Sequence, residues 1–520
     1  MVAPTRQVRE GKRMRSRREV LAYLAAGGVA AAGLTGCSAA GGARRPSDTL
    51  TLATVVDPPS FAPADTRDAH YVQYYQPAYD ALLRIAPDGS NQPCLATSWT
   101  YDKSLTVLSL TLREGVVFHD GGHFDGAAVA ANLMATKKGT GTAASAFAAL
   151  KEVKVLSPYR VDLILSEPDP GIERQLGMPG AMMASPAALG TPGLTSVPVG
   201  TGPYVMDTGA TTPTVKYTFV RNPRYWDPDS FPFDRIVLIP VADQTARTNA
   251  VRSGQVDGAA GDALNVSAIT GAGLRVTTSP GPGFQALFLF DRDGKVAHEL
   301  RDVRVRRAIN HALDRKGILK VLADGRGRTT GQIFNPTSAA ADLSLDTVYP
   351  YDPARARALL TEAGHPRGFT LRLPQPLSYP NLAPLLGQLL GDVGITVDYV
   401  QLPVQTINDQ YLAGKFPAVY YQLQSSDPWQ AVNFLGTATS PWNPLHADDP
   451  EIRAQIDRVR VAPAAERTAA FHELDRLYVD KAWFAPVFFP DAVYFSSRSV
   501  EVTPQSLQIV PSIQNYRPAA

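Results

Sequence analysis

Cysteine is nearly absent from this chain, and neither sign of charge dominates it. Only Cys37 and Cys94 occur among 520 residues, so the fold cannot depend on a framework of disulfides. The 50 basic and 48 acidic residues almost cancel, and the first 36 residues hold seven of the basic and two of the acidic ones. The remainder is therefore slightly acidic, which argues against nucleic acid as a partner.

The motifs of common hydrolases are also missing. The chain has no Gly-x-Ser-x-Gly, no His-Glu-x-x-His and no cysteine–histidine signature, and its two His-Glu pairs, at 298–299 and 472–473, lack a second histidine. A secreted hydrolase that uses paired carboxylates stays open as an alternative, although no pair stands out. We expect a protein that is not an enzyme and that needs no cofactor.

The N-terminus has the three parts of a secretory signal: a basic region, an apolar stretch from Val20, and small residues before a cysteine. Residues 16–21 resemble a twin-arginine export signal, and residues 34–37 resemble a lipobox, whose cysteine would be lipidated. A membrane-spanning helix is the alternative, but the uncharged stretch is mostly Ala and Gly, which makes a weak one. We therefore predict an exported lipoprotein, held by Cys37 at the outer face of the cytoplasmic membrane or its periplasmic side.

Removal of this signal leaves 484 residues, too many for one hydrophobic core, so we expect at least two lobes. Alternating apolar residues predict strands, and apolar spacing of three and four predicts helices. A strand–helix–strand unit over 369–400 indicates a parallel sheet with helix cover, and the fold class is α/β. The predicted strands are 49–55, 106–112, a hairpin over 154–165, 215–220, 236–240, 285–290, 369–373, 395–400 and 418–423; the helices are 302–313, 352–364, 382–393 and 464–480.

A series of sequence blocks follows the order typical of one family. They are 79–84, 93–99, 112–121, 124–129, 200–204, 221–226, 253–258, 288–290, 302–309 and 351–364. In these blocks the chain resembles the solute-binding proteins of ABC importers, family 5, which includes oligopeptide-, dipeptide- and nickel-binding members. Each block alone is a weak signal, but their order over about 450 residues is specific.

The resemblance implies a bilobal fold of the periplasmic-binding-protein type, in its large type II class with an extra subdomain. After the signal at 1–36 and a lipidated tether at 37–48, lobe I would comprise 49–75, 195–284 and 485–520. An inserted subdomain would span 76–194, and lobe II would span 285–484. The ligand would bind between the lobes, and lobe closure would present it to the importer.

The implied function is capture of a small polar solute, a peptide or peptide-like molecule, by a monomer. The partners would be an ABC permease with its ATPase subunits, and the membrane through the lipid anchor. An oligosaccharide or a nickel complex is the alternative ligand. His119 and His123 have a metal-like spacing, but they lie in a glycine-rich turn, so we predict no metal site.

Ligand specificity is expected at the end of the strand at 418–423. In peptide-binding relatives this strand end carries an aromatic residue, and also an aspartate that pairs with the amine of the peptide, three positions before an acidic-Pro pair. If Asp427 and the proline after it are that pair, Tyr421 keeps the aromatic, and Gln424 replaces the aspartate. An amide cannot neutralise a buried ammonium, so Asp427 either substitutes for the missing carboxylate or only caps the following turn.

Four more residues are candidates through their position in the family pattern. Phe61 follows the first strand, and Phe284 and Gln285 lie where the chain enters the second lobe. Trp429, with Tyr421, could stack on a sugar or an aromatic group, or could belong to the core instead.

Overall fold

Strands and helices alternate along most of the computed structural model, which describes residues 48–139, 143–376, 379, 381–403, 406–424 and 427–519. The predicted signal and Cys37 lie outside the described residues. The strands are β1 Thr49–Thr54, β2 Leu83–Ile85, β3 Asn91–Pro93, β4 Ala96–Tyr101, β5 Val107–Leu112, β6 Leu150–Ser157, β7 Arg160–Leu165, β8 Tyr204–Met206, β9 Tyr217–Arg221, β10 Arg235–Pro240, β11 Gly258–Ala260, β12 Arg275–Pro280, β13 Gly283–Leu289, β14 Gly327–Thr329, β15 Phe369–Pro374, β16 Ile395–Val400, β17 Ala418–Gln424, β18 Ala485–Ser496, β19 Val500–Val502 and β20 Tyr516–Pro518.

The helices are α1 Val72–Tyr75, α2 Gly126–Lys138, α3 Ala143–Ala146, α4 Ile172–Gln175, α5 Gln244–Arg252, α6 Val266–Gly271, α7 Val303–Ala312, α8 Arg315–Ala323, α9 Pro353–Glu362, α10 Leu382–Gly391, α11 Ile407–Leu412, α12 Pro428–Ala431, α13 Pro450–Val461 and α14 Ala464–Asp480. Within the described part of the chain, no helix combines the length and the apolar character needed to cross a membrane.

The predicted strands and helices are confirmed, because their signals are local. In α9, the Asp352 side chain accepts a hydrogen bond from the Arg355 N–H, Pro353 is the first helical residue, and Gly364 follows with φ of 90°. The predicted parallel unit is confirmed as well, since β15 pairs in parallel with β16 and α10 connects them.

Helix α2 was missed by the sequence analysis, and its buried face explains why. Besides Val129 and Leu133, this face contains the polar residues Asn132 and Thr136. The Asn132 amide donates to the Ala184 carbonyl at 2.8 Å and accepts from the Ala184 N–H at 2.9 Å, so it is satisfied although it is buried. A buried face that mixes polar and apolar residues does not give the apolar period that predicts a helix.

The largest sheet has ten strands, and β18 connects its two sides. Along one path the order is β17-β13-β18-β11-β1-β10-β9-β8, and β12 and β14 also pair with β18. The first residues of β18 pair with β13 and β14, and its last residues pair with β11 and β12. A second sheet, antiparallel with the order β4-β5-β7-β6, carries α2 on one face.

Strand β13 shows how the core around this sheet is built. All seven of its residues are buried. Phe284, Ala286 and Phe288 face one apolar cluster, whereas Leu287 and Leu289 face another on the opposite side. Both faces of the sheet are therefore covered, which accounts for the continuous apolar run of this strand in the sequence.

Candidate ligand-binding site

Strand β17 ends beside β13 and leads into α12, as the expected site requires. The strands are antiparallel, with Gln424 opposite Gly283, and Gln422 opposite Gln285. Gln424 is exposed at the strand end. Asp427 is the N-cap of α12, and its side chain accepts a hydrogen bond from the Gln430 N–H at 2.9 Å. Asp427 therefore caps α12, which is one of the two roles left open for it above, and its ionic contact with a ligand stays a prediction.

Two of the predicted aromatic residues lie at the edge of one core. The Tyr421 ring is half-buried and lies 4.8 Å from the Trp442 ring between centroids, with 32° between the planes. Trp429 is buried in the same apolar cluster, and the Arg460 guanidinium lies 5.4 Å from the centre of its ring. Both aromatic side chains already have ring or cation partners within the protein.

Phe61 and Phe284 lie in hydrophobic cores rather than at a free surface. Phe61 packs among Tyr75, Tyr217 and Phe219, with ring centroids 5.7 to 6.5 Å away. Phe284 is fully buried against two other phenylalanines. Since neither side chain offers surface to a ligand, we leave both out of the site proposed below.

Gln285 is buried and is held by neighbouring polar side chains. Its Nε2 donates to Gln422 Oε1 at 3.2 Å, and its Oε1 accepts from the Tyr420 hydroxyl at 2.8 Å. The Tyr379 hydroxyl donates to the same Gln422 oxygen at 2.9 Å. Gln285 therefore orients Gln422 at the strand end, and its own amide is engaged within the protein.

A segment far away in the sequence, residues 167–174, lies against α12. A Cβ atom built on Gly171 would stand 3.1 Å from Asp427 Oδ1 and 3.2 Å from Trp429 Cδ1, so the two segments are in close contact. Glu167 also forms an ion pair with Arg460, whose guanidinium lies over Trp429. A side chain at position 171 would be tight against Asp427 Oδ1 and Trp429 Cδ1, so Asp427 or Trp429 would have to shift by a few tenths of an ångström to admit it.

Four charged residues gather at this contact: Asp68, Asp169, Arg174 and Asp427. We call them the charged cluster. Burial raises the pKa of Asp68 to about 6, and Arg174 partly opposes this rise. Burial also raises the pKa of Asp169 to about 6; the hydrogen bond from the Gly171 N–H opposes this rise, whereas the nearby Asp427 carboxylate adds to it.

In the remaining two members of the charged cluster, burial also shifts the pKa toward the neutral form of the side chain. Burial raises the pKa of Asp427, while the Gln430 N–H and Arg174 oppose this rise. Burial lowers the pKa of Arg174, against the attraction of Asp427 and Asp68. Three carboxylates and one guanidinium, all poorly hydrated, can accept a ligand that carries charges of its own.

Three of these four residues, all except Asp427, were not predicted from the sequence. Asp169 precedes a proline and a glycine, which are ordinary turn signals, and Arg174 lies in a single turn of helix. Only the fold brings them to Asp427. His119, which was considered as a metal ligand and set aside, contacts backbone groups with both ring nitrogens: Nε2 lies 3.1 Å from the Gly202 carbonyl, and Nδ1 accepts from the Gly200 N–H at 3.4 Å.

We expect Asp169→Asn to stabilise the protein at pH 7 by about 1 kcal/mol. The folded-state pKa of Asp169 is raised from 3.8 to about 6, so the folded protein binds the proton more tightly than the unfolded chain does. Stability is therefore lost as the pH rises from 3.8 to about 6, and asparagine avoids this loss. Urea unfolding at pH 4 and pH 7 measures the effect, which should vanish at the lower pH.

Asp457→Asn is the matched control, since Asp457 is exposed on α13. It should change stability by only a few tenths of a kcal/mol at either pH. A gain for Asp169→Asn that is the same at both pH values would contradict the assignment of the raised pKa. Removal of this charge should also lower the pKa of Asp427, which carbon-13 NMR of the carboxyl groups can follow.

Named relatives have a similar sequence and a similar fold. The glutathione-binding protein GsiB of Escherichia coli (strain K12) is 28% identical over 340 residues, which are 64% of this chain and 65% of that protein. The match thus spans slightly less than two thirds of the length of such relatives.

Two solved structures share the fold over nearly their whole length. HbpA2 from Haemophilus parasuis superposes with a TM-score of 0.79 at 21% identity, covering 91% of this chain and 100% of that one. The periplasmic binding protein DppA from Helicobacter pylori, in complex with the peptide STSA, gives 0.75 at 21% identity, covering 91% and 98%. The predicted α/β, bilobal fold of periplasmic binding proteins is confirmed.

The sequence model of one family covers most of the chain. The model for the middle region of the bacterial extracellular solute-binding proteins, family 5, matches residues 91–444. This range includes α12 and the segment 167–174 that lies against it, so the candidate site falls largely inside the family's shared region. The chain therefore belongs to family 5 of the bacterial extracellular solute-binding proteins.

Proposed function

We propose that this protein is the substrate-binding component of an ABC importer, which captures a small, charged, peptide-like solute and delivers it to a membrane permease. The observation that supports this most directly is the charged cluster, where residues 167–174 lie against α12 at the end of β17. Named relatives agree with a peptide-like ligand: GsiB is named for glutathione, and the DppA structure contains a peptide.

Opening and closing would take place around β18. The lobes proposed are 49–75 with 195–284 and 485–520, the inserted 76–194, and 285–484. Strand β18 pairs with β13 and β14 through its first half and with β11 and β12 through its second half, and the two halves meet at the half-buried Pro490, Asp491 and Ala492. Beside them, the Gly281 N–H donates to the Pro490 carbonyl at 3.3 Å. Small torsion changes at these residues would separate residues 167–174 from α12.

Ligand-induced closure is the first test of this proposal. Small-angle X-ray scattering should show a smaller radius of gyration with the correct ligand, because binding favours the closed form. Thermal unfolding should show stabilisation of about 2.7 kcal/mol at a hundredfold excess over the Kd. We expect these changes with dipeptides, oligopeptides or glutathione. A response to oligosaccharides or nickel complexes alone would replace the peptide-like ligand by those alternatives, and no response to any of them would contradict the proposal.

Asp427 is the proposed partner of the ammonium group of the ligand. Gln424 cannot supply the negative charge that peptide-binding relatives place at its position, and Asp427 is the nearest carboxylate along the chain. Its N-cap hydrogen bond to Gln430 keeps the carboxylate oriented toward the contact with Gly171. A buried ammonium without such a partner would cost several kcal/mol.

We expect Asp427→Asn to weaken binding of free-amine peptides by roughly 10- to 100-fold, because asparagine keeps the cap but loses the charge. N-acetylated peptides should be unaffected by this change. Isothermal titration of both peptide forms measures the difference. The double variant Gln424→Asp/Asp427→Asn provides a second check. It returns the carboxylate to the position that peptide-binding relatives use, so it should restore binding of free-amine peptides. Equal losses for free and acetylated peptides would exclude an ionic role of Asp427.

The protein would work outside the cytoplasm, as the family name states for its members, and as a monomer near the permease. Lipidation of Cys37 would hold it there, because two ester-linked acyl chains anchor stably where a single chain does not. Tethering also raises the local concentration of the loaded protein at the permease.

Cys37→Ser tests the anchor. We expect this variant to leave the membrane fraction and to lose labelling by radioactive palmitate, because serine lacks the thiol that is acylated. Cys94→Ser is the control, since the Cys94 thiol is buried and should not be modified. Unchanged membrane association of Cys37→Ser would show that another segment holds the protein.

A further inference from the structure

Arg174 is a buried guanidinium whose donors are only partly used. Its side chain is 7% exposed, in the single-turn helix α4. Nη1 donates to the Gly89 carbonyl at 2.5 Å. Nε and Nη2 have no hydrogen-bond partner within the part of the chain that the structure describes. Buried polar groups without a partner are rare in native proteins, so these two donors require an explanation.

The two unused donors lie on the same edge of the guanidinium plane. This edge presents two parallel N–H groups, whose spacing matches the two oxygens of a carboxylate. The hydrogen bond from Nη1 to the Gly89 carbonyl holds the guanidinium plane in position, so the two N–H groups on Nε and Nη2, called the fork below, are already oriented before a ligand binds. An ammonium, a hydroxyl or an amide could not use both donors in this way.

No carboxylate among the described residues forms a hydrogen bond with this edge. Asp68 and Asp427 are near enough to affect the pKa of Arg174, but neither provides an acceptor for Nε or Nη2. Asp427 instead caps α12. Arg174 nevertheless belongs to the charged cluster, because its backbone N–H is bonded to Gly171, and Gly171 lies against Asp427, where the ligand is proposed to bind.

We infer that the Nε–Nη2 edge of Arg174 binds a carboxylate of the ligand, close to the place where Asp427 binds its ammonium group. The inference rests on the proposed function, because it assigns a second contact within the same site. The Arg174 N–H donates to the Gly171 carbonyl at 3.1 Å, and a Cβ atom built on Gly171 would stand 3.1 Å from Asp427 Oδ1, so the two charged groups of the ligand must also be neighbours. This selects ligands with the zwitterionic head group of an α-amino acid, and disfavours linear peptides whose charges lie at opposite ends.

A pair of isomeric tripeptides tests this selection. In γ-Glu-Cys-Gly the ammonium and one carboxylate share a carbon atom, whereas in α-Glu-Cys-Gly the ammonium is separated from both carboxylates. We expect the wild-type protein to bind the γ-linked isomer at least tenfold more tightly. Arg174→Gln should lower that affinity roughly 10- to 100-fold and abolish the preference. Arg174→Lys keeps the charge but lacks the fork, and it should recover only part of the loss. Arg221→Gln, at a half-exposed arginine that pairs with Asp234, is the control.

A second measurement is independent of the peptide. Acetate and tricarballylate should raise the melting temperature of the wild type above that in chloride of equal ionic strength, and should not do so in Arg174→Gln. If neither tripeptide binds but these carboxylates act through Arg174, the peptide-like ligand is wrong and the inference stands. If both isomers bind the wild type and Arg174→Gln with the same affinities, or if the carboxylates stabilise both proteins equally, the inference is overturned while the binding function remains.

Discussion

Strand β18 is the element on which both the fold and the proposed motion depend. Its twelve residues complete one set of strands at their start and another at their end, so neither side of the large sheet is complete without it. Backbone hydrogen bonds at its two ends resist separation, because breaking them would leave buried donors and acceptors unpaired. Between its two halves Pro490 has no N–H to donate and is half-buried, although the strand stays paired there with β14 and β12. The proposed motion would bend the strand at this point, because a bend there keeps the pairing at both ends.

The charged cluster follows from that constraint. In the proposed lobes, residues 167–174 and α12 belong to different sides of the strand, and their contact through Gly171 would then form only when the two sides approach each other. The approach removes water from Asp169 and Asp427 at the same time, which raises both pKa values. Like charges brought together at poor hydration oppose closure. In the proposed mechanism, a ligand that supplies a compensating ammonium would remove this opposition, so that occupancy and closure would be linked.

Local signals allowed most of the fold to be predicted, and little of the site. Helix α9 is predicted by its N-cap residue, its first-turn proline and its final glycine, and β15 and β16 are predicted by their alternating apolar residues. Each of these signals lies within a few residues of the element, and the three elements are confirmed. Tyr421 and Asp427 were also placed correctly at a strand end and a helix cap. Arg174, however, is 106 residues from Asp68 and 253 residues from Asp427. No local sequence pattern indicates a contact between residues so far apart in the chain. Aromatic residues such as Phe61 pack in a hydrophobic core as readily as they line a ligand-binding surface, so their presence alone does not predict a site.

The exchange of the expected aspartate for Gln424 has a structural consequence beyond the loss of a charge. At the exposed strand end, a carboxylate would be hydrated and free to turn. At Asp427 the carboxylate is fixed by the N–H of Gln430 and faces Gly171, where water is scarce. An ammonium bound there gains more from the charge, because screening by water is weaker. Because Arg174 is also poorly hydrated, a ligand without a carboxylate would leave its guanidinium unpaired and would bind more weakly. In the proposed site, moving the carboxylate by three residues would therefore change which ligands are accepted and would make the selection stricter.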